Sequence, residues 1–548
     1  MTYDLTQFIE QRFSKKESWL QPPLLHWLKE IDPESLQKEL LRYTEKKLTL
    51  SPEPYDFYHT AITQHLDKNP LALTTIDAQG KRQEWTYEKL HHAVNYQVKR
   101  WNDLGLEPKQ SIAIIAPISA HFFIAYLTAL RLGLTITYLP LEDPYLSKNL
   151  IIEKIQEIQP LAVVTTEELP LPEGTFQIID LPELPESKNH YTPTSTIYAP
   201  EETIQIALGT YEETFLPLHP ITAQTLYFSQ LRDAIALLGL KPGYTFSAPL
   251  SSTLYHPQIL TTLFLGAHYL HIDPIFLKEN PHIFAKEKIH TLGLTKPLQI
   301  LWTENPHLPQ SHLKYIYKNP FDQDYRGFKT FAAANKLEKT PITNLLIDNA
   351  HGGITLFSKP SLDFPDLFML PNLNLPWELL DLNGSGVKSL SSFGTLSINK
   401  TNTPLILVEN HQEYILSDSR KPSRYGKLYP IEQVESALHN LAPFQGACLY
   451  DIIKGGTIAN RTFILIIFTP NQEPDPTWNQ KIYKTIAEKV GPAYIPDHIE
   501  YYPLAPKIKN ERVDRNWCEA QYSSGLLHKK REMEIYQKLS QLKIQVRG

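Results

Sequence analysis

Two stretches of the chain share the same order of apolar and polar positions. Each opens with an amphipathic helical stretch, at 87–101 in the first copy and at 222–237 in the second. Each then has a short turn, LGLEPK at 104–109 and LGLKPG at 238–243. A pattern that recurs at this length predicts two structural repeats rather than a chance similarity.

The segments after the two turns also correspond. Apolar runs at 111–117 and 244–250 predict buried strands, and each is followed by a helical stretch that ends in glycine, Gly133 or Gly266. A second apolar run closes each copy. Strand and helix alternate in this way to about residue 300, which is typical of parallel sheets built from βαβ units. The predicted fold class is therefore α/β.

The remaining pattern divides the chain into regions. We expect a helical extension over 1–50, a large domain over 51–416, a small α+β domain over 417–522 and a basic helical tail over 523–548. The small domain is predicted from an amphipathic helix near 430–441, two strand-like runs and a further helix. The large domain is predicted to hold the two repeats and a β-rich portion that includes the run NLLIDNAHGGITL.

Composition excludes several classes of protein. A formal net charge of -6 gives no electrostatic footprint for nucleic acid. Two cysteines, Cys448 and Cys518, are too few for a disulfide framework and favour a reducing cytoplasm. The first residues lack the apolar core of a secretory signal, and no run reaches the roughly 18 apolar residues that a membrane span needs. We therefore expect a cytoplasmic protein without a transmembrane segment.

Several motifs, taken in order, resemble those of the adenylate-forming superfamily, and in particular its acyl-CoA synthetases and fatty acyl-AMP ligases. WTYEKL at 85–90 is similar to the opening TYxEL segment, and the two LGL turns fall where the two related subdomains of that superfamily start. GKLYPIEQVE at 426–435 resembles GKNIYPxEIE, and NERVDR at 510–515 resembles NGKVDR. The resemblance covers about residues 50 to 520.

The resemblance implies a fold and a chemistry. The fold is a large N-terminal domain of two related αβ subdomains with a β-rich portion, followed by a mobile C-terminal cap. The chemistry joins a carboxylate to ATP, with Mg²⁺, to give an acyl-adenylate, and then passes the acyl group to CoA or a carrier protein. It uses a glycine-rich phosphate loop, an acidic Mg²⁺ ligand and a C-terminal lysine that balances charge.

The phosphate loop departs from that pattern. The family sequence SGTTGxPKG is replaced here by LGTYEETFL at 208–216, in which Gly209 and Thr210 remain and the lysine position is Phe215. Glu212 and Glu213 would face a polyanion if the loop kept its usual place, and like charges at 4 Å repel by about 1 to 4 kcal/mol. Triphosphate binding in the usual pose is therefore disfavoured.

The other catalytic positions are also changed. HGGIT at 351–355 stands for YGxTE, so His351 and Gly352 occupy the base-binding positions and Thr355 replaces the Mg²⁺ carboxylate, for which it is a poor substitute. Leu405 falls at or near the ribose-binding Asp. Arg512 replaces the terminal lysine, and it keeps the charge but not the shape.

Simpler interpretations stay open beside the functional ones. Gly209 and Thr210 also fit an ordinary turn, and His351 fits a turn residue next to two glycines. His256, at a position that the resemblance places near the acyl substrate, also fits a structural role. His268 and His271 are three residues apart on a predicted strand, so their rings point to opposite faces and we expect no metal site.

The tail after residue 522 also has two interpretations. Met533, Tyr536, Leu539 and Leu542 recur at helical spacing, which favours a helix docked on the body or on a partner. A solvated basic helix is the simpler alternative to a contact with a membrane or with nucleic acid.

Two functional hypotheses follow. In the first, the chain is a catalytically degenerate relative that binds a small carboxylic acid, an acyl chain, a nucleotide or a partner protein and needs no cofactor. In the second, it is an active acyl-activating ligase that uses ATP and Mg²⁺, with Arg512 or Lys509 as the catalytic cation. The resemblance also suggests a third property, a ligand-gated movement of the cap about residues 418–425.

Overall fold

The structure, a computed structural model, describes only part of the 548-residue chain. It covers residues 55–535 except 142, 144, 167–170, 172–175, 181–190, 212–214, 250–256, 307–311, 322–324, 338–339, 359–367, 373–376, 381–385, 387–392, 399–400, 411–412, 418–421, 425–426, 440, 442, 454–460, 471, 473, 510–511 and 534. The predicted helical extension over 1–50 and His256 therefore lie outside the described residues.

The chain forms two compact units, one of residues 1–141 with 155–417 and one of residues 142–154 with 418–548. The strands of the first unit are β1 Leu71–Ile76, β2 Arg82–Thr86, β3 Ser111–Ile115, β4 Thr135–Tyr138, β5 Ala162–Thr165, β6 Gln177–Asp180, β7 Thr203–Leu208, β8 Leu218–Thr222, β9 Thr245–Ser247, β10 His268–Ile272, β11 Thr291–Leu294, β12 Tyr315–Lys318, β13 Ile342–Asp348, β14 Gly353–Ser358, β15 Phe368–Pro371, β16 Trp377–Leu380, β17 Phe393–Ile398, β18 Thr401–Asn410 and β19 Glu413–Ser417.

The strands of the second unit are β20 Ser423–Arg424, β21 Lys427–Leu428, β22 Gly446–Ile453, β23 Arg461–Phe468, β24 His498–Tyr502, β25 Ile508–Lys509 and β26 Arg512–Val513. The α-helices of the chain are α1 Phe57–Ala61, α2 Tyr87–Asp103, α3 Ala120–Leu132, α4 Lys148–Ile158, α5 Ala223–Arg232, α6 Pro257–Phe264, α7 Pro274–Glu279, α8 Lys296–Glu304, α9 Tyr325–Ala334, α10 Ile431–Leu438, α11 Thr477–Lys489 and α12 Arg515–Ser523.

The two predicted repeats are confirmed, and each lies in its own sheet. The first, β3-α3-β4, belongs to a six-stranded sheet of order β6-β5-β3-β4-β7-β8, in which all pairs but β7-β8 are parallel. The second, β9-α6-β10, belongs to a thirteen-stranded sheet of order β16-β17-β18-β19-β15-β14-β13-β12-β11-β9-β10-β1-β2. Strands β13 to β1 of that order run parallel, and β14 to β19 form the antiparallel, β-rich portion.

The LGL turns end their helices in the same way. Gly105 and Gly239 have positive φ angles of 82° and 60°, a conformation that glycine adopts without a steric penalty. The next residue in each turn is buried, and its N–H reaches back into the preceding helix. Leu106 donates to the Trp101 carbonyl at 3.1 Å and Leu240 to the Ala234 carbonyl at 3.0 Å. Both turns therefore share a glycine at positive φ and a buried leucine that bonds back into the helix, but the bond from Leu240 reaches one residue further back than the bond from Leu106.

One predicted helix differs from the structure at its end. The stretch 222–237 is α-helical only over α5, and the backbone widens into one π-helical segment at Asp233–Leu237. Such segments are often found at functional sites, because they re-aim side chains. The widening begins at Asp233, which is fully buried and accepts a hydrogen bond from the N–H of Ile354 on β14.

The second unit has an α+β core. Its central sheet has the order β22-β23-β24, and Val434 and Leu438 on α10 are buried, as the amphipathic pattern predicted. A hydrophobic cluster joins Cys448 on β22, Cys518 on α12 and Leu527. Leu527 belongs to a helical segment over 526–533, so this part of the tail packs on its own unit, whereas Met533 is exposed. The tail residues 536–548 lie outside the described part.

Candidate functional site

The first candidate segment is the turn that follows β7. Gly209 donates its N–H to the Pro217 carbonyl at 2.8 Å, which closes the turn toward β8. Thr210 is buried. Tyr211 is 1% exposed, and its ring stacks on Phe321 with the ring centroids 6.2 Å apart. A large aromatic side chain therefore anchors this turn in the core, while Glu212 and Glu213 lie outside the described residues.

The second candidate segment is the connection between β13 and β14. β13 ends at Asp348, a single turn of 3-10 helix follows at Asn349–His351, and β14 begins at Gly353. The 3-10 turn contacts both β7 and β8. The His351 turn therefore lies against the two strands that flank the Gly209 turn in the first unit.

The side chain of His351 is engaged inside the fold. Its Nδ1 lies 3.1 Å from Oδ2 of Asp348, and both side chains are buried. The other carboxylate oxygen of Asp348 accepts the N–H of Ala350 at 3.1 Å, which fixes the turn. An imidazole that is 4% exposed offers little ring surface to stack on a purine base.

Thr355 is also engaged by the fold. It lies at an irregularity in the β13-β14 pairing, where the register shifts between Leu346 and Ile347. Its hydroxyl donates to the Leu346 carbonyl at 3.1 Å, and the side chain is buried. A hydroxyl held in this way has neither the charge nor the exposure of a Mg²⁺ ligand.

A buried polar network on α5 holds the His351 segment in place. Gln230 donates to the Gly352 carbonyl at 2.7 Å. Asp233 accepts the N–H of Ile354 at 2.8 Å through Oδ2, and its Oδ1 accepts from Arg232 Nε at 2.8 Å and from Asn372 Nδ2 at 3.0 Å. Burial raises the pKa of Asp233, and the Arg232 guanidinium acts in the opposite direction.

Gly353 fits against this network only because it has no side chain. A Cβ at this position would lie 2.3 Å from Oδ2 of Asp233. Sequence reasoning missed Gln230, Arg232, Asp233 and Asn372. The available signal was the adjacent Arg232-Asp233 pair, the two charged residues of the helical stretch at 222–237, because charged residues are seldom buried without partners.

The remaining candidates lie elsewhere. Leu405 is on β18, and its side chain lies outside the described part. Lys509 and Arg512 pair across the β25-β26 hairpin of the second unit and are both exposed. Lys507 pairs with Asp514 at 3.3 Å, and Asp514 caps the start of α12 through the N–H of Trp517. The contacts of Asp514 therefore fix the end of the hairpin next to α12, while the side chains of Lys509 and Arg512 are exposed to solvent.

The first of the two histidines on β10 is engaged inside the fold. His268 is buried between two hydroxyls, with Nδ1 3.1 Å from Oγ1 of Thr245 and Nε2 2.9 Å from Oγ1 of Thr74. Across the described ranges, no group of three or more His, Cys, Asp or Glu side chains could hold a metal ion. No helix in those ranges is long and apolar enough to cross a membrane.

The arrangement does not fit Mg-ATP in the way that the resemblance implies. His351, which the resemblance assigns to the base, is hydrogen-bonded inside the turn, and Thr355, which it assigns to the metal, is bonded to the neighbouring strand. The described residues around the two turns also contain no lysine at the phosphate-loop position, where Phe215 stands.

Comparisons with known proteins identify the fold. No family model matches the chain. A curated relative, glycine betaine reductase ATRR from Emericella nidulans, is 30% identical over 132 residues, which is 24% of this chain and only 10% of that protein.

Solved structures match over most of the chain. One is an artificially fused adenylation-PCP di-domain NRPS from Klebsiella oxytoca, with a TM-score of 0.63, 12% identity, and coverage of 83% of this chain and 94% of that one. Acetoacetyl-CoA synthetase from Streptomyces lividans has a TM-score of 0.61 at 12% identity, and the match covers 97% of this chain and 98% of that one. o-Succinylbenzoate CoA synthetase from Bacillus subtilis has a TM-score of 0.64 at 12% identity, and the match covers 85% of this chain and 98% of that one. This protein has the fold of the adenylate-forming superfamily.

Proposed function

We propose that this protein is a catalytically degenerate relative of the acyl-activating enzymes that binds a ligand on the inherited scaffold without forming an acyl-adenylate. The ligand class that we favour is a small carboxylic acid or an acyl chain, since the motif at 426–435 resembles the version seen in acyl-chain activators. The protein would act as a binding or scaffold protein, with a nucleotide or a partner protein as alternative ligands.

One observation carries the proposal. The hydroxyl of Thr355, at the position of the Mg²⁺ carboxylate, donates to the Leu346 carbonyl in the interior of the sheet. The buried contact of His351 with Asp348 supports the same conclusion for the base-binding position. Because an unsatisfied buried polar group costs about 1 to 3 kcal/mol, neither side chain is expected to leave its partner to meet a nucleotide.

A second candidate function rests on a different observation. Lys509 and Arg512 are exposed on one hairpin, and the resemblance of NERVDR to NGKVDR assigns Arg512 to the C-terminal lysine of the superfamily. In this alternative the chain is an ATP-dependent acyl-activating ligase, and CoA or a carrier protein accepts the acyl group. The similarity to acetoacetyl-CoA synthetase and to the adenylation-PCP di-domain motivates this choice of acceptor.

A pyrophosphate-exchange assay over fatty, aryl and amino acids distinguishes the two functions. We expect no exchange above background with the wild-type chain. Robust exchange that Arg512→Ala abolishes, and that the matched variant Lys484→Ala leaves intact, would overturn the proposal in favour of the ligase. Lys484 is a suitable control because its side chain is 76% exposed on α11 of the same unit.

Thermal unfolding provides the binding measurement. A ligand at 100 times its dissociation constant stabilises the native state by about 2.7 kcal/mol. We expect a shift of the midpoint with at least one carboxylic acid or acyl ligand, and none with Mg-ATP. A shift with Mg-ATP alone would contradict the absence of a working nucleotide site.

A further inference from the structure

The amino ends of three neighbouring parallel strands bring basic and aromatic residues together. Tyr244, His290 and Lys314 directly precede β9, β11 and β12. Because β11 pairs in parallel with both β9 and β12, these three residues lie side by side where the parallel strands of the large sheet begin. We call this side of the sheet its amino edge. The N–H of His290 donates to the Thr245 carbonyl at 2.9 Å, and that of Lys314 donates to the His290 carbonyl at 2.8 Å.

Further basic residues complete this surface, which we call the amino-edge patch. It consists of Lys241, Tyr244, Lys288, His290, His312 and Lys314. The rings of Tyr244 and His290 are stacked with their centroids 4.3 Å apart, and the His312 ring lies 6.1 Å from that of His290. Lys288 and Lys314 are exposed.

The patch has an excess of positive charge. Burial lowers the pKa of His290 to about 4, and the positive charges of His312, Lys314 and Lys288 act in the same direction. Burial also lowers the pKa of Lys241, together with the charge of Lys314. The charged neighbours that shift either pKa are all basic, and the adjacent Glu287 carboxylate is paired with Arg82 at 2.5 Å.

The backbone of the patch does not form a pocket for a small anion. A phosphate or sulfate site usually needs converging N–H donors. The N–H of Tyr244 already donates to the Lys241 carbonyl at 3.0 Å, and that of Thr245 donates to Nδ1 of His290 at 3.0 Å. The cations that remain are lysine ammonium groups on flexible stems, which act as separate point charges.

Two other classes of partner fit less well. Single-stranded nucleic acid would need an aromatic face on which a base can stack, but one face of Tyr244 is covered by His290 and the Lys241 ammonium lies 5.7 Å from the ring centroid. A membrane would need exposed apolar side chains beside the charges, and among the described residues no patch residue is an exposed large hydrophobic.

We propose that the amino-edge patch is a docking surface for an acidic segment of a partner protein. Several carboxylates spaced along an extended or helical segment match lysines that are spread across adjacent strands, since neighbouring strands lie about 4.8 Å apart. The patch is separate from the candidate site, because the His351 turn follows the carboxyl end of β13 in the same sheet. Binding there would leave the candidate site open.

Fluorescence anisotropy with a labelled deca-glutamate peptide and the full chain tests the proposal at low salt. We expect the double variant Lys288→Glu with Lys314→Glu to bind the peptide about tenfold or more weakly than wild type, since each reversed lysine exchanges an attraction for a repulsion. Both side chains are exposed, so the variant is expected to fold. Lys288→Ala with Lys314→Ala is a milder version that should weaken binding less.

The matched control reverses the same number of charges at the other edge of the sheet. Lys278 on α7 and Lys296 on α8 are exposed and follow the carboxyl ends of β10 and β11. Lys278→Glu with Lys296→Glu should change peptide affinity by less than about twofold.

Three results would overturn the proposal. They are no binding by the wild type, an equal loss in the control variant, or tighter binding of a single-stranded dT10 oligonucleotide than of the peptide through the same lysines. The first two would mean that the lysines form an ordinary solvated surface, and the third would assign the patch to nucleic acid. Each result is independent of whether the chain adenylates.

Discussion

The His351 segment and the β25-β26 hairpin carry the two groups of residues that the sequence connects with nucleotide chemistry, and they differ in how the fold uses them. In the first, His351 and Thr355 are buried and bonded to Asp348 and to the Leu346 carbonyl. In the second, Lys509 and Arg512 are exposed on a two-stranded hairpin. The side chains of the His351 segment are part of the core, and those of the hairpin are part of the surface.

The difference shows what burial does to a residue at a functional position. A polar side chain that is removed from water must be satisfied by the protein itself, so its atoms are committed to neighbours and are not available to a ligand. An exposed lysine or arginine keeps its hydration, and it can meet a ligand without breaking an internal bond. Motif resemblance alone does not distinguish the two situations.

The largest expected effect comes from releasing the His351 segment. Asp233→Ala would leave the buried Arg232 guanidinium without its carboxylate and the Ile354 N–H without an acceptor. We expect the free energy of unfolding to fall by about 3 to 5 kcal/mol, measured by urea titration. Replacing both partners, with Arg232→Met and Asp233→Leu, should recover a large part of this loss. A loss below about 1 kcal/mol for the single variant would mean that the network does not hold the segment.

The second effect concerns pH. Burial lowers the pKa of His65 and of His268 to about 4, whereas an unfolded histidine titrates near 6.5. As the pH falls below 6.5 the unfolded chain binds protons first, so stability present at neutral pH is lost between about pH 6.5 and 4.

We expect a fall of roughly 1 to 2 kcal/mol per histidine between pH 7.5 and pH 5, measured by urea titration at both values. His268→Gln should reduce the slope. The pH dependence tests whether buried histidines of the first unit, including His268 in the sheet that carries the His351 segment, are closed to water. Equal stability at both pH values would show that they are not.

A smaller effect is expected at Thr355. Thr355→Val removes the hydroxyl that donates to the Leu346 carbonyl and should lower the free energy of unfolding by about 1 kcal/mol. Thr343→Val is the matched control, because its hydroxyl donates to the Ser358 carbonyl at 3.1 Å in the same strand pair. Suppose that Mg-ATP raises the thermal unfolding midpoint of the wild type and of Thr343→Val but not of Thr355→Val. Thr355 would then contact the nucleotide, which contradicts its assignment to the core.

The smallest effect is expected at the hairpin. Lys509→Ala and Arg512→Ala should each change the free energy of unfolding by less than about 0.5 kcal/mol, because both side chains are exposed. Arg515→Ala is the contrasting variant, since Arg515 pairs with Glu435 at 2.6 Å and donates to the Leu449 carbonyl at 2.8 Å. It should cost about 1 kcal/mol or more. Equal losses at Arg512 and Arg515 would mean that the hairpin cations are structural.

Much of the fold could be predicted from sequence because it depends on local periodicity. The repeats were visible in the spacing of apolar residues and in the LGL turns, where a glycine at positive φ ends each helix. The placement of His268 and His271 on one strand, β10, followed from the apolar run around them. The tail was only partly predictable in its described part, since Leu527, which the helical spacing did not single out, packs into the core of the second unit, whereas Met533 is exposed.

The candidate site was less predictable because its contacts join residues far apart in the chain. Sequence alone determined the α/β class and the repeats, and it supplied the prediction that the phosphate-loop and metal-binding residues of the resemblance are replaced. Only the tertiary structure decided that His351 and Thr355 are bonded internally, that Asp233 and Asn372 hold their segment, and that Lys241, Lys288 and Lys314 share one edge. Hydrophobic periodicity depends on residues that are close together in the chain. The partner of a buried polar group, in contrast, depends on how strands and helices that are distant in the chain pack together.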